Sequence, residues 1–294
     1  MSKLTGVKAS TVEKRLKMLL WGESGSGKTT LALKFPNAYV IDMERGTDHY
    51  GDKLDFTVVK TNDADEVLSQ INALMTEKHD YKTLVIDPIT VFWDAFQRKW
   101  TEIISGNKSD KSPGKHDDYY ELQFGDWKVL NNEYGEFMRL LTRLDMNVIC
   151  TAHSKTAYKK GAMAVVEGVT WDAQKDTNYY FDTEVQLYVR DGAHYGICNK
   201  DKSGCLPEHV EFEPTFDYFA GHFGSEKLDR PAQMITLSTD DQRKRILALQ
   251  DEKTISNSTI GKALDGYGVK NTKSLTIEQA DELIGRLEKY NAAS

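Results

Sequence analysis

The chain has 294 residues, enough for one full domain of about 200–250 residues and a small appendage. Apolar residues make up 39% and there are 21 glycines, so a packed core is expected and a disordered chain is excluded. The formal net charge of −7 excludes a wholly basic nucleic-acid coat and leaves room only for local basic patches.

In chain order, β-rich runs alternate with amphipathic stretches over the first 230 residues, the pattern of a mostly parallel α/β sheet. Strands are predicted at Lys17–Trp21, Ala38–Asp42, Phe56–Lys60, Thr83–Asp87, Asn147–Thr151, Glu184–Arg190, His194–Asn199 and Val210–Phe212. Helices are predicted at Lys28–Lys34, Ala64–Glu77, Thr90–Ile104 and Asp126–Leu144; the second shows the stripe Val67, Leu68, Ile71, Leu74, Met75. Two stretches break the rhythm, 105–123 and 154–178, and both read as long irregular loops. The composition shifts at 225–233 ("SEKLDRPAQ"), read as a linker, which divides the chain into a core at 1–228 and a helical module at 229–294. In that module, Asp240–Asp251, Asn257–Leu264 and Ile277–Tyr290 read as helices, the last opened by a Thr276/Gln279 capping box.

Cys150, Cys198 and Cys205 show neither a C-x-x-C pair nor metal-ligand spacing and read as thiols of a reducing cytosol. No apolar run reaches the roughly 18 residues that span a bilayer, and the polar N-terminus lacks the apolar core of a secretory signal. A cytoplasmic protein with no membrane partner is expected.

The strongest motif is "GESGSGKT", Gly22-Glu23-Ser24-Gly25-Ser26-Gly27-Lys28-Thr29, which fits G-x-x-x-x-G-K-[ST] between an apolar strand and a helix. Glycines let the backbone wrap a polyphosphate with its N–H groups inward, and the helix N-terminus adds a favourable dipole. Lys28 then reaches the β- and γ-phosphates, the Thr29 hydroxyl ligates Mg2+, and Thr30 completes the set expected to bind ATP. A second magnesium-side acid should end another buried strand, and "TLVIDP" supplies Asp87. Pro88 follows it, so a water-activating glutamate must come from elsewhere. "YVIDMERG" offers Glu44 as that base, with Asp42 as its backup, because ligands favour the carboxyl edge of α/β sheets. A solvated charged turn is the alternative for this pair.

Together these residues resemble the RecA-type P-loop ATPase core, whose base lies in an "I-D-x-E" strand end like Ile41–Glu44 here. More narrowly, the chain resembles the phage RecA-like ATPases of single-strand annealing, the Sak-four group, over roughly residues 14–215. That resemblance implies a γ-phosphate sensor at the end of "NVICTAHS", where His153 replaces the usual glutamine. It also implies a K-x-K pair, Lys200 and Lys202, entering a neighbouring subunit's nucleotide site, and two DNA-facing loops at the irregular stretches. Lys155, Tyr158, Lys159 and Lys160 in the second would bind phosphates and stack a base. The first is mixed, with Lys108, Lys111 and Lys115 against Asp110, Asp117 and Asp118; a solvated loop, or for Lys200 and Lys202 a polar hairpin exit, is the plain alternative.

The implied function is an ATPase that assembles as a homo-oligomer on single-stranded DNA and promotes annealing or strand exchange, with a single-strand-binding protein as a further partner. A P-loop phosphotransferase and an NTP-driven assembly switch that does not touch DNA are the competing readings. Arg243-Lys244-Arg245 could extend a DNA surface, but the module balances nine basic against nine acidic residues from 236 on.

Overall fold

The run KMLLWG forms strand β1 (Lys17–Gly22), and every residue in it is buried. Such a run fits the middle of a sheet covered on both faces, where alternation with polar residues is unnecessary. The structure, a computed structural model, describes residues 14–109, 120–158 and 166–290. After β1 come α1 (Lys28–Ala32), β2 (Ala38–Asp42), β3 (Phe56–Lys60), α2 (Ala64–Thr76), β4 (Thr83–Asp87), α3 (Ile89–Ser109) and α4 (Phe124–Arg143). The chain continues through β5 (Asn147–Tyr158), β6 (Val166–Asp172), β7 (Thr183–Arg190), β8 (Ala193–Asp201), β9 (Glu211–Phe212), α5 (Phe216–Phe223) and α6 (Ser225–Leu228).

The strands form one sheet in the order β3-β2-β4-β5-β1-β7-β8-β9, with β6 paired to β5 off that path. From β3 to β7 the neighbours run parallel, and β6, β8 and β9 join antiparallel. The fold class is therefore α/β with a mostly parallel central sheet, as expected. Parallel order puts the carboxyl ends of β1, β2, β4 and β5 along one edge: Gly22 stands level with His153, and Asp42 with Asp87. One face packs Met18, Leu20, Val40, Val85 and Ile149 against Leu31 of α1, Phe35 just after it and Phe219 of α5. The long helices α3 and α4 carry their own aromatic cluster of Phe92, Phe96, Tyr134 and Phe137, in which Phe92 and Phe137 stack at 4.0 Å.

Three expectations are corrected. The stretch from Ser105 is helical as far as Ser109, because α3 runs on past its predicted end; residues 110–119, with Lys111, Lys115 and Asp110, Asp117 and Asp118, lie outside the described residues. In the stretch 154–178, residues 154–158 and 166–172 are strand and 159–165 lie outside the described residues: β5 continues to Tyr158 and pairs antiparallel with β6 from His153↔Asp172 to Tyr158↔Val166. Period-based reading missed it because this pair lies beyond the buried sheet, where little apolar alternation is needed. The expected linker begins as α6 and is pinned to the sheet: Arg230 donates to Asp145 at 2.9 Å, and its carbonyl accepts from Arg15 at 2.7 Å.

The described chain falls into two compact units, residues 14–68 with Asp80–Ala232, and Ser69–His79 with residues 233–290. The second unit holds α7 (Asp240–Glu252), α8 (Asn257–Gly266) and α9 (Ile277–Glu288) around Ile246, Leu249, Ile260, Leu264, Leu275 and Leu283. Capping boxes at Thr239/Gln242 and Thr276/Gln279 and the Ser256 cap start its helices. Within this unit Ile235 N–H donates to the Met75 carbonyl at 2.8 Å.

Candidate nucleotide site

The loop after β1 is shaped by one steric fact. A Cβ at Gly22 would stand 2.1 Å from the Leu187 carbonyl oxygen of β7, so only glycine lets β1 leave the sheet there. Gly27, at φ +94°, then turns the chain into α1 in a backbone region that side chains disfavour. Lys28 folds back over the loop: its Nζ donates to the carbonyls of Gly22 at 2.8 Å and Glu23 at 2.7 Å. Burial holds its ammonium below the usual lysine range, while Asp87, Glu44 and Glu23 pull the other way.

Thr29 and Asp87 meet directly, the hydroxyl donating to Asp87 Oδ2 at 2.7 Å. Thr151 of β5 donates to Oδ1 of the same carboxylate. Burial pushes the Asp87 carboxyl up, with the two threonine hydrogen bonds opposing it. A hydroxyl and a carboxylate side by side suit Mg2+, which takes one or two protein oxygens and completes its shell with phosphate oxygens and water. Among the described residues no group of three His, Cys, Asp or Glu forms an all-protein cage. The Thr29 hydroxyl and the Asp87 carboxylate would fit a Mg2+ ion shared with a nucleotide.

The two acids ending β2 separate cleanly. Asp42 is buried and accepts from the N–H groups of Glu44 (3.1 Å), Gly46 (3.1 Å) and Thr47 (2.9 Å) and from the Thr47 hydroxyl (2.5 Å). Four donors occupy its lone pairs, so Asp42 builds the turn and is not free to act as a base. That removes the backup role considered for it. Glu44 is thereby turned outward, half-exposed, and its Oε2 lies 3.1 Å from His153 Nε2. The His153 N–H donates to Thr90 Oγ1 at 3.0 Å, and that hydroxyl donates to the Asp172 carbonyl at 2.5 Å. Thr90 thus ties the start of α3 to the β5–β6 pair and seats His153 beside Glu44.

Beside the loop opens a cavity of about 730 Å³ whose walls include Thr30, Lys34, Tyr50, His194, Tyr195 and Pro214. His194 Nδ1 lies 3.1 Å from the Ser26 carbonyl, and the Tyr50 and Thr30 hydroxyls are 3.0 Å apart. Sequence reading missed Tyr50, Thr90, Thr151, His194 and Pro214. They carry no local motif and are brought to this edge only by the tertiary fold.

Other expected residues are placed elsewhere. Lys202 stands level with Lys17, about 16 Å along the strands from Gly22. Lys200 and Lys202 donate to the carbonyls of Asn178 (2.5 Å) and Tyr179 (3.2 Å), so neither enters this chain's own loop. Lys155 sits on β5 and pairs with Asp172 at 2.9 Å. Lys159 and Lys160 lie outside the described residues, as do the side chains of Tyr158 and Lys108. No described helix is long and apolar enough to cross a membrane.

Comparison with known proteins gives a family assignment. No curated protein sequence matches the chain. Among solved structures, the crystal structure of the RadB recombinase is similar at 15% identity and a TM-score of 0.41, over 66% of this chain and 84% of that one. The AAA domain family matches residues 14–194, more than half of the 294 residues. The chain belongs to the AAA domain family.

Proposed function

We propose that the protein is a RecA-like ATPase that assembles on single-stranded DNA and promotes annealing or strand exchange, working in the cytoplasm. The observation that carries this reading is the convergence of Lys28, Thr29, Asp87, Glu44 and His153 along one sheet edge. These groups cover the parts of a phosphoanhydride hydrolysis.

Phosphates enter the loop of Gly22, Glu23, Ser24, Gly25, Ser26 and Gly27, and Lys28 exchanges its two carbonyls for β- and γ-phosphate oxygens. Thr29 and Asp87 would hold Mg2+, which would supply charge neutralisation on the phosphates. Glu44 takes a proton from a water aimed at the γ-phosphorus; a new P–O bond forms, the bond to the β-phosphate oxygen breaks, and ADP leaves. His153 donates its ring N–H to a γ-phosphate oxygen. That N–H passes from Glu44 to the phosphate oxygen, so arrival of the phosphate frees the base. The base and ribose occupy the cavity walled by Tyr50, His194 and Pro214.

The resemblance to RecA relatives supplies the rest of the proposal. The β5–β6 pair, with Lys155, Tyr158, Lys159 and Lys160, contacts the strand, and Lys200 and Lys202 serve a neighbouring copy in a homo-oligomer. A single-strand-binding protein is a partner, and the C-terminal helices form a module of their own. The test is ATP hydrolysis with and without single-stranded DNA. Stimulation by DNA, lost on replacing Lys155, Lys159 and Lys160 by alanine, supports the proposal. Phosphate transfer to a small acceptor replaces it with a phosphotransferase, and DNA-indifferent turnover replaces it with an assembly switch.

A further inference from the structure

At the opposite end of the sheet from the phosphate loop lies a second cavity, of about 450 Å³, walled by Lys14, Arg15, Lys17, Arg143, Tyr179 and Tyr180 together with Asp145 and Asp182. In a chain of net charge −7, four cations against two acids reverse the local sign. The two acids are already matched. Asp145 takes Arg15 at 3.0 Å and Arg230 at 2.9 Å, while Asp182 has Lys14 and Lys202 each at 3.9 Å. Lys17 is spent as well, its ammonium donating to the carbonyls of Leu144 at 2.7 Å and Met146 at 2.9 Å and, more weakly, Leu141 at 3.4 Å.

That leaves Arg143. It stands half-buried at the last residue of α4, and among the described residues it has neither an ion pair nor a hydrogen bond. Burial holds its guanidinium below the usual arginine range with no acid to offset the cost. Lys17 fills the turn after α4, its ammonium on the Leu144 and Met146 carbonyls. The five donors of the guanidinium fork are therefore presented to whatever enters. Beside it, Tyr179 is 72% exposed, an aromatic ring held open to solvent on a short turn that Lys202 fastens through the Tyr179 carbonyl.

We infer that this cavity is a second phosphate site that takes a nucleotide unit, Arg143 gripping the phosphate and Tyr179 stacking the base. An unspent guanidinium suits a phosphate, which it binds through two parallel hydrogen bonds. A ring at the mouth suits the base attached to that phosphate. The unit can come from a free nucleotide or from a nucleic-acid strand, and the two sources are separable.

The experiment uses the full chain with the phosphate loop disabled by Lys28→Ala, so its outcome does not depend on hydrolysis. A fluorescein-labelled twelve-residue oligothymidylate and a fluorescent ADP analogue are each titrated by anisotropy. Adding Arg143→Ala should weaken the bound probe by about tenfold or more, and Arg143→Lys should restore part of it. Tyr179→Ala, at an exposed position, should weaken the same probe several-fold and guards against a folding defect at Arg143. Loss for the oligonucleotide alone identifies a strand as the source, and loss for the ADP analogue identifies a free nucleotide. Unchanged affinity for both probes in the Arg143→Ala and Tyr179→Ala proteins, or no binding of either probe by the parent, overturns the inference.

Discussion

Glu44 Oε2 and His153 Nε2 stand 3.1 Å apart although their strands are not neighbours. β4 runs between β2 and β5, so the pair closes over the strand that ends in Asp87. Replacing Glu44 by glutamine keeps the shape and removes the proposed base. Phosphate release should fall by about 100-fold or more while affinity for a fluorescent ATP analogue holds. His153→Ala should cost less, and the double variant should be no worse than Glu44→Gln, because the two act as one unit. A Glu44→Gln protein that turns over at the parent rate would remove Glu44 from the mechanism.

Asp42 offers a contrasting acid. Its four donors make it part of the turn that carries Glu44, whose own N–H is among them. Asp42→Ala leaves buried donors unmet and should cost about 3 kcal/mol of stability, read by urea denaturation. Hydrolysis in the folded fraction should fall too, since Glu44 loses its seat. A variant as stable as the parent would show that the turn stands without this carboxylate.

Asp87 is predicted to trade stability for binding. Its carboxyl is pushed up by burial, so the ionised form opposes folding in the nucleotide-free protein. That cost is full above the raised range and is relieved as the pH falls through it toward the ordinary carboxylate value. Asp87→Asn removes the charge, and its amide can still pair with Thr29 and Thr151. Melting of the nucleotide-free variant at pH 7 should rise by roughly 2–4 °C. Its magnesium-dependent ATP affinity should drop by at least tenfold. A lower melting temperature would mean that the two threonine hydrogen bonds outweigh the desolvation.

The cavity beside the loop predicts a split between base and phosphate. Ala193 lies on its exposed wall, so Ala193→Trp fills space meant for the base without touching Lys28 or Thr29. Competition titrations should show ATP weakened by about tenfold and inorganic tripolyphosphate unchanged. Equal loss for both ligands would place the base elsewhere.

The cysteines give a test of the core. Burial pushes the Cys150 thiol up strongly and Cys198 to about 11, whereas Cys205 is only half-buried. In the native protein a thiol reagent should label Cys205 alone, and all three should react in denaturant. Native labelling of Cys150 would contradict its place in the middle of β5.

Much of the fold was legible because its elements are strongly patterned. β2, β3 and β4 have the predicted bounds, and their apolar runs end abruptly in Asp42, Lys60 and Asp87. The β5–β6 pair was not legible. It stands outside the core, so strand pairing and the ties from Thr90 and Trp21, rather than a burial pattern in its own residues, hold it in the strand form. The phosphate loop was legible for the opposite reason, since every backbone demand in it falls on adjacent residues.

By itself the sequence determined the alternation of strands and helices, the loop from Gly22 to Thr29, and the acids that end two buried strands. Each is a local property, written in residue type and spacing. Only the tertiary structure decided which acid is free. Asp42 and Glu44 are two residues apart and chemically alike, yet one is consumed by Thr47 and three backbone N–H groups while the other reaches His153, 109 residues away. The same holds for Arg143, which has no ion pair or hydrogen bond among the described residues while Arg15 and Arg230 occupy the nearby Asp145. Hydrogen-bond donors and acceptors are finite, and which of them remain unspent is settled by contacts between distant segments.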